Sequence, residues 1–515
     1  MKAIHKFLLL ASILAASTEA APRPNFVFIL GEAQGWAALS SQMDRNNPRS
    51  KSELFQTPYL AKVAEQGIRF SRFYAPSPRC TPSRVTYLTG ISPAALRMTF
   101  VNTGESGGRV IMSDTTTEMP ESVTTIAEQL KTVGYTTAHF GKWHVGRLNP
   151  SRHGFDVHDG ANSNSGPENS KHPNPKQFYG TVAKGIDFMT RSVKAGKPFY
   201  LQISHYGGKS ALDCKPETMA LLKQRVGNRN LAQLGAAAVA LDADLSTGQL
   251  LDAMDKLGIT DNTYFFYTAD HGTAGRNGPL AKGKGSVSEG GIRVPLIFRG
   301  PGIQPGSYAD MLTSGVDLFP TIAELAGVTA STPKAVEGGS LKQVLLNAGK
   351  GIVRRSREEF VVHFPHYDKD PLGPASSIHS GDHKLILYYE TGDRHLYHLN
   401  ADIGERNNLA AQMPDKVAEL MRQMTAYLKS VNAEMPRIDD SRPAGAGQAP
   451  RGGGGRPSGI LTALDVDQDG KVTPAEMRNA AAVLMKFDRD RDGKLTEDEI
   501  RRGTRGGNDR NRNRP

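Results

Sequence analysis

The stretch PSPRCTPSRVTYLTG, residues 76–90, places Cys80 between two prolines and four residues ahead of Arg84. Cys214 is the only other cysteine in 515 residues. Cys80 is therefore either half of the one disulfide open to the chain or a side chain kept for its own reactivity. More polar residues follow directly on short apolar runs. Glu32 and Gln34 come after NFVFIL, His144 after YTTAHF, His205 after PFYLQIS, and Asp270 with His271 after YFFYTA. Groups delivered by several strand ends are placed to converge on one ligand cleft.

A second set lies near the C-terminus. DVDQDGKVTPAE (465–476) and DRDRDGKLTEDE (488–499) each carry aspartate at positions 1, 3 and 5, glycine at 6 and glutamate at 12. Calcium takes roughly seven oxygens from a loop that turns sharply on glycine, and this spacing supplies them. The ligands would be Asp465, Asp467, Asp469, the carbonyl of Lys471 and Glu476, then Asp488, Asp490, Asp492, the carbonyl of Lys494 and Glu499. The loops start 23 residues apart and share one helix around MRNAAAVLMKF, a compact pair that resembles a dockerin-like EF-hand module.

The elements that must position these residues show in the apolar patterning. The four runs named above are rich in aromatic and β-branched residues, and they alternate with stretches of helical spacing such as ESVTTIAEQLKTVG and LAQLGAAAVALDADLSTGQLLDAMDKLG. That alternation predicts an α/β domain around a buried, largely parallel sheet. From Glu359 to Lys429, FVVHFPHY, HKLILYY and RHLYHL predict short antiparallel strands before a helix, a smaller α+β subdomain. The expected boundaries are a leader at 1–20, a catalytic domain at 23–350, the subdomain at 351–435, a Pro/Gly-rich linker at 436–459, the EF-hand pair at 460–502 and a basic tail at 503–515. Lys2 and Lys6, the apolar run 7–16 and small residues near Ala20 read as a secretory signal peptide, too short to span a membrane. No other run reaches spanning length, so the expectation is a secreted or periplasmic protein, with cell-surface association as a variant. Net charge is +11, but the last fifteen residues hold six arginines against one aspartate, without the interleaved aromatics that stack bases. No nucleic-acid partner is expected.

Beyond position 80, the motifs are mutually consistent. CTPSR followed by VTYLTG resembles the signature of the type I sulfatases, of the alkaline-phosphatase-like superfamily, in which the cysteine is oxidised to formylglycine by a formylglycine-generating enzyme. PNFVFILGEAQGW, GYTTAHFGKWHVG, YTADHG, KGKGSVSEGGIRVPLIFRGPG and HKLILYYETGDRHLYHLNADIGERNNLA are similar to that family's other blocks, over residues 23–435. The resemblance implies a hydrated aldehyde at position 80, one hydroxyl attacking sulfur and the other collapsing to release sulfate. It implies that Arg84 orients this group, that Lys142 and Lys284 neutralise sulfate oxygens, and that His144 accepts a proton. It also implies active-site calcium on Glu32, Gln34, Asp270 and His271.

Two positions depart from the family pattern. Ala33 stands where a second acidic ligand is usual and offers no ligand atom. Lys209 stands where many relatives carry a leaving-group histidine, with His205 nearby; Lys209 would add charge in place of a lost metal ligand. His363, His366 and Tyr367 are candidate sugar contacts, with a packed turn as the other reading. The expected function is hydrolysis of sulfate esters of carbohydrates, with two competing classes: a phosphodiester or phosphonate hydrolase of the same superfamily, and a lapsed enzyme that binds sulfated glycans.

Overall fold

The computed structural model describes residues 23–442, except 103–107, 113–114, 165–172, 209–210, 228 and 276, together with residues 485 and 492. Lys209, the leader, the tail and all calcium-loop residues but Asp492 lie outside the described residues. The chain divides into two units, Met1–Gly447 and Gln448–Pro515.

The larger unit is built on an eight-stranded sheet. Its strands are β1 (Asn25–Gly31), β2 (Ile68–Phe70), β3 (Thr136–Gly141), β4 (Val157–His158), β5 (Phe199–Ser204), β6 (Thr263–Ala269), β7 (Leu296–Arg299) and β8 (Ser307–Ala309), in the order β8-β2-β7-β6-β1-β5-β3-β4. Every pairing is parallel except those of β7, which runs against both β2 and β6. All seven residues of β1 are buried. Phe26, Phe28 and Leu30 join a core on one face, and Val27 and Ile29 a core on the other. A strand covered on both faces reads as a continuous apolar run, which is why the sequence shows one.

Helices α1 (Cys80–Thr89), α2 (Phe178–Lys194), α3 (Leu231–Lys256) and α4 (Leu318–Leu325) belong to this domain. A four-stranded antiparallel sheet follows, β9 (Phe360–Phe364), β10 (Ala375–Ser380), β11 (His383–Tyr388) and β12 (Arg394–His398), with α5 (Pro414–Ser430). One face of this sheet packs Ile378, Leu385 and Leu396 on Leu420 and Met424 of α5. The other sets Val362, Ile386 and Tyr388 against Tyr74, Val287 and Ile292 of the catalytic domain. The alkaline-phosphatase-like architecture expected from the sequence is therefore present.

The expected linker start at Pro436 is too early. Arg437–Ile438 pairs antiparallel with Val110–Ile111, and the Glu434 carbonyl bonds His363 at 2.9 Å. Polarity and proline had read as linker, but two residues suffice to add a short edge strand. Cys80 and Cys214 are both buried and unbridged, so no disulfide forms between them.

Candidate active site

Cys80 opens α1. Arg79 before it is extended, with φ −140°, and Gly90 closes the helix in the left-handed region at φ 69°. All ten residues of α1 are buried, so the cysteine is presented inside the protein on a helix N-terminus, where unpaired amides favour negative charge. Its Sγ lies 3.2 Å from His271 Nε2, 3.4 Å from Glu32 Oε1 and 3.8 Å from Lys284 Nζ. Burial and Glu32 push the thiol up, but Lys142, His271 and Lys284 outweigh them and hold it well below the usual thiol range.

Three strand ends deliver the partners. Glu32 follows β1, Lys142 follows β3, and Asp270 with His271 follows β6. Arg84, one turn beyond Cys80, donates through Nη2 to Glu32 Oε2 and Asp270 Oδ2, both at 3.1 Å, and through Nη1 to the Lys142 carbonyl at 2.6 Å. Its planar fork ties all three strand ends to α1. Lys142 Nζ reaches Glu32 Oε2 at 2.8 Å, and Lys284 Nζ reaches Oε1 at 3.4 Å. Gly141 turns the chain into Lys142 with φ 90°, and a Cβ there would meet the Ser204 carbonyl at 2.0 Å. Glycine alone permits both the turn and the close approach.

The two carboxylates share this charge unequally. Against the cost of burial, Lys142 and Lys284 hold Glu32 well below the usual range, while burial and the Glu32 charge push Asp270 up to about 7.

Glu32, Asp270, His271 and Cys80 bring ligand atoms within 4.8 Å of one another. His271 Nδ1 lies 2.9 Å from the Gly272 carbonyl, and its Nε2 faces Asp270 Oδ1 at 3.4 Å. Two carboxylate oxygens and one imidazole nitrogen fit a divalent cation with an open coordination shell. Ala33 contributes only its backbone N–H, which donates to Asp270 Oδ1 at 3.0 Å. Gln34, expected as a ligand, turns its carboxamide N–H to the Ala38 carbonyl, and among the described residues no hydrogen bond joins it to the cluster.

His144 stands at the edge of this set, half-buried and at φ 57°. Burial, Lys142 and Arg84 lower its pKa and a hydrogen bond to Cys80 raises it, the net shift being downward, so the ring is neutral at pH 7. Its Nδ1 has no partner. His205 packs edge-on to Phe178 at 5.1 Å, and burial, then Arg84, push it to about 4. It does not line the cleft beside His144.

The three candidate sugar contacts are buried and have other partners. His363 bonds Ser376 Oγ at 2.7 Å, His366 bonds Thr99 Oγ1 at 2.8 Å and stacks on Phe100, and Tyr367 donates to Glu390. The packed-turn reading describes them. Nearby residues missed by the sequence reading grip the Lys284 loop instead. Asp370 accepts from Lys282 Nζ at 2.7 Å and Ser286 Oγ at 2.5 Å, and Asp368 pairs with Arg79. The one available signal was acidic residues directly after HFPHY facing a lysine-rich loop.

The profile named Sulfatase matches residues 24–328, that of the N-sulphoglucosamine sulphohydrolase C-terminal region matches 283–434, and EF-hand profiles match 460–481 and 480–503. N-acetylgalactosamine-6-sulfatase of Mus musculus is 27% identical over 87% of this chain and 95% of its own length. Ps i-CgsB in complex with k-i-k-neocarrahexaose superimposes with TM-score 0.66 at 21% identity, over 79% of this chain and 93% of that one. BT4656 in complex with its substrate D-glucosamine-2-N,6-O-disulfate gives TM-score 0.60 at 22% identity, over 80% and 98%. With the Sulfatase profile matching more than half of its residues, the strand ends and helix around Cys80 among them, the chain belongs to the sulfatase family and is a sulfuric ester hydrolase.

Proposed function

We propose that this protein is an exported sulfatase that removes sulfate from carbohydrates through a formylglycine derived from Cys80. The observation that carries the reading is the position of Cys80 on the first turn of a buried helix, ringed by Arg84, Lys142, Lys284, His144 and His271. The sulfated sugar named as the substrate of BT4656 and the N-acetylgalactosamine-6-sulfatase likeness support a carbohydrate ester. The lysine-flanked apolar run 7–16 supports export.

When present, the hydrated aldehyde supplies two hydroxyls on one carbon, one to attack sulfur and one to release sulfate. Lys284 and Lys142 bring the positive charge that balances the sulfate oxygens as charge develops in transfer. Neutral His144, beside position 80, accepts a proton there. Arg84 locks Glu32 and Asp270 in place, and a divalent cation on Glu32, Asp270 and His271 would polarise the ester. The matched EF-hand loops support separate calcium binding at 460–503.

Co-expression with a formylglycine-generating enzyme, followed by peptide mass analysis across Arg79–Arg84, should show the aldehyde. Cys80→Ser should then abolish sulfate release from a panel of aryl and sugar sulfates. Wild-type rates in that variant would overturn the assignment.

A further inference from the structure

Beside the reaction centre lies a cleft of about 360 Å³ lined by Thr81, Thr117, His144, Arg147, Asn162 and Ser163, with Val101, Gly146 and Ala161 completing the wall. Small-ligand sites fall at about 300–1,000 Å³. Thr81 follows Cys80 in α1 and His144 lies two residues beyond Lys142, so the cleft lies beside the group where sulfate is transferred. Among the described residues its wall is hydroxyls, a carboxamide, an imidazole and a guanidinium, with one valine and one alanine as apolar side chains. Such a surface suits a hydroxyl-rich sugar and offers an aryl or steroid ring little to pack against.

The backbone of this wall is fixed. Asn162 Oδ1 accepts from the Trp143 N–H at 3.0 Å, its Nδ2 donates to the Gly141 carbonyl at 3.0 Å, and its own carbonyl accepts from the His144 N–H at 2.9 Å. Glu118 takes the Arg147 N–H on both oxygens, at 3.0 and 2.8 Å, and the Leu148 N–H at 3.1 Å. Glu118 thus secures the turn through its amides, while the Arg147 guanidinium is exposed and, among the described residues, makes no ion pair. The other cations flanking the centre are paired: Arg79 with Asp368, Lys282 with Asp370, Arg84 with Glu32 and Asp270. Among the described residues, Arg147 is the cationic side chain of the cleft wall, held at its base and unpaired at its head. A planar five-donor fork in that position matches a carboxylate or a sulfate bidentately.

We propose that this cleft receives the sugar bearing the scissile ester, and that Arg147 pairs with a second anionic group on the substrate, a uronate carboxylate or another sulfate. The proposal rests on the sulfatase reading and narrows it to acidic glycans. A solvent-accessible pair of this kind contributes modestly, and a tenfold change in affinity corresponds to about 1.4 kcal/mol.

The test uses the full-length, aldehyde-bearing protein with four substrates: 4-methylumbelliferyl sulfate, galactose 6-sulfate, glucosamine 2-N,6-O-disulfate and a sulfated disaccharide containing a uronate. Arg147→Ala should raise KM for one or both of the last two by about tenfold with kcat nearly unchanged, and Arg147→Lys should restore part of it. KM for the first two should not move. Whichever anionic substrate responds identifies the source of the second charge. In the inert Cys80→Ser protein, calorimetric titration with the disulfated sugar should show the same loss of affinity on Arg147→Ala. Equal KM and equal affinity with and without Arg147 would overturn this inference while leaving the sulfatase reading intact. Failure of the aldehyde-bearing wild type to release sulfate from any of the four would overturn both.

Discussion

Arg84 and Ala33 mark the two ways single residues set the chemistry of this centre. The guanidinium of Arg84 joins a helix to three strand ends, and no other side chain has the geometry to do so. Ala33 does the opposite, offering no ligand atom beside Glu32 where the family pattern has a second acidic residue. It also lies at φ 55°, a left-handed conformation that costs an alanine about 1–2 kcal/mol and that aspartate tolerates. Ala33→Asp should therefore fold at least as well and add a carboxylate beside Glu32. Because calcium affinity follows ligand charge, the variant should bind calcium at least about tenfold more tightly in calorimetric titration of a chain cut after Arg442, which lacks the EF-hand loops. Unchanged affinity would remove Glu32, Asp270 and His271 from consideration as metal ligands.

At the scale of elements, the antiparallel sheet β9–β12 holds the catalytic loop through buried polar contacts. Glu289, five residues after Lys284, bonds His379 and Lys384, each at 3.0 Å, and pairs with Arg293 at 3.2 Å. Burial keeps the histidines of this region neutral: His363 and His379 are lowered to about 4 and His366 to about 3. Their folded values lie below the unfolded value of about 6.5, so between these limits the unfolded chain binds more protons. Stability should be full above about pH 6.5 and decline as pH falls toward about 4. Glu289 adds to the trend, because Lys384, His379 and Arg293 outweigh its burial and hold its carboxyl well below the ordinary range. Its share is lost as pH falls through that depressed value. Scanning calorimetry from about pH 7 to about pH 5 should show a falling Tm, and His366→Asn should shallow the slope. A flat profile would mean these histidines are protonated in the fold.

For the whole molecule, the catalytic unit ends later than composition suggests. Arg437–Ile438 completes a small sheet with Val110–Ile111, and Asp440 pairs with Arg109 at 3.3 Å. A truncation after Arg442 should keep turnover of a small soluble sulfate ester within about twofold while removing the calcium equivalents contributed by the two EF-hand loops. Truncation after Asn432 removes the Arg437–Ile438 strand and the Glu434 carbonyl that His363 bonds, and should lower Tm. Loss of turnover in a still-folded protein cut after Arg442 would make the EF-hand pair part of the active unit.

Local rules were enough for much of this protein. Alternating apolar runs and helical spacing announced a parallel α/β core, because a strand buried on both faces must be apolar throughout. The motifs around Cys80, Lys142, Asp270 and Lys284 named residues that do meet, because each sits at the end of an element whose direction the sheet dictates. Side-chain partners were not legible. Gln34 turns to Ala38, and His363, His366 and Tyr367 are taken up in packing, since a polar side chain bonds whatever the fold brings within reach. Asp370 on Lys282 and Asn162 under His144 act across 88 residues and from a loop without a motif, respectively. Such contacts depend on distances in space that residue order does not encode locally, and only the tertiary structure decided them.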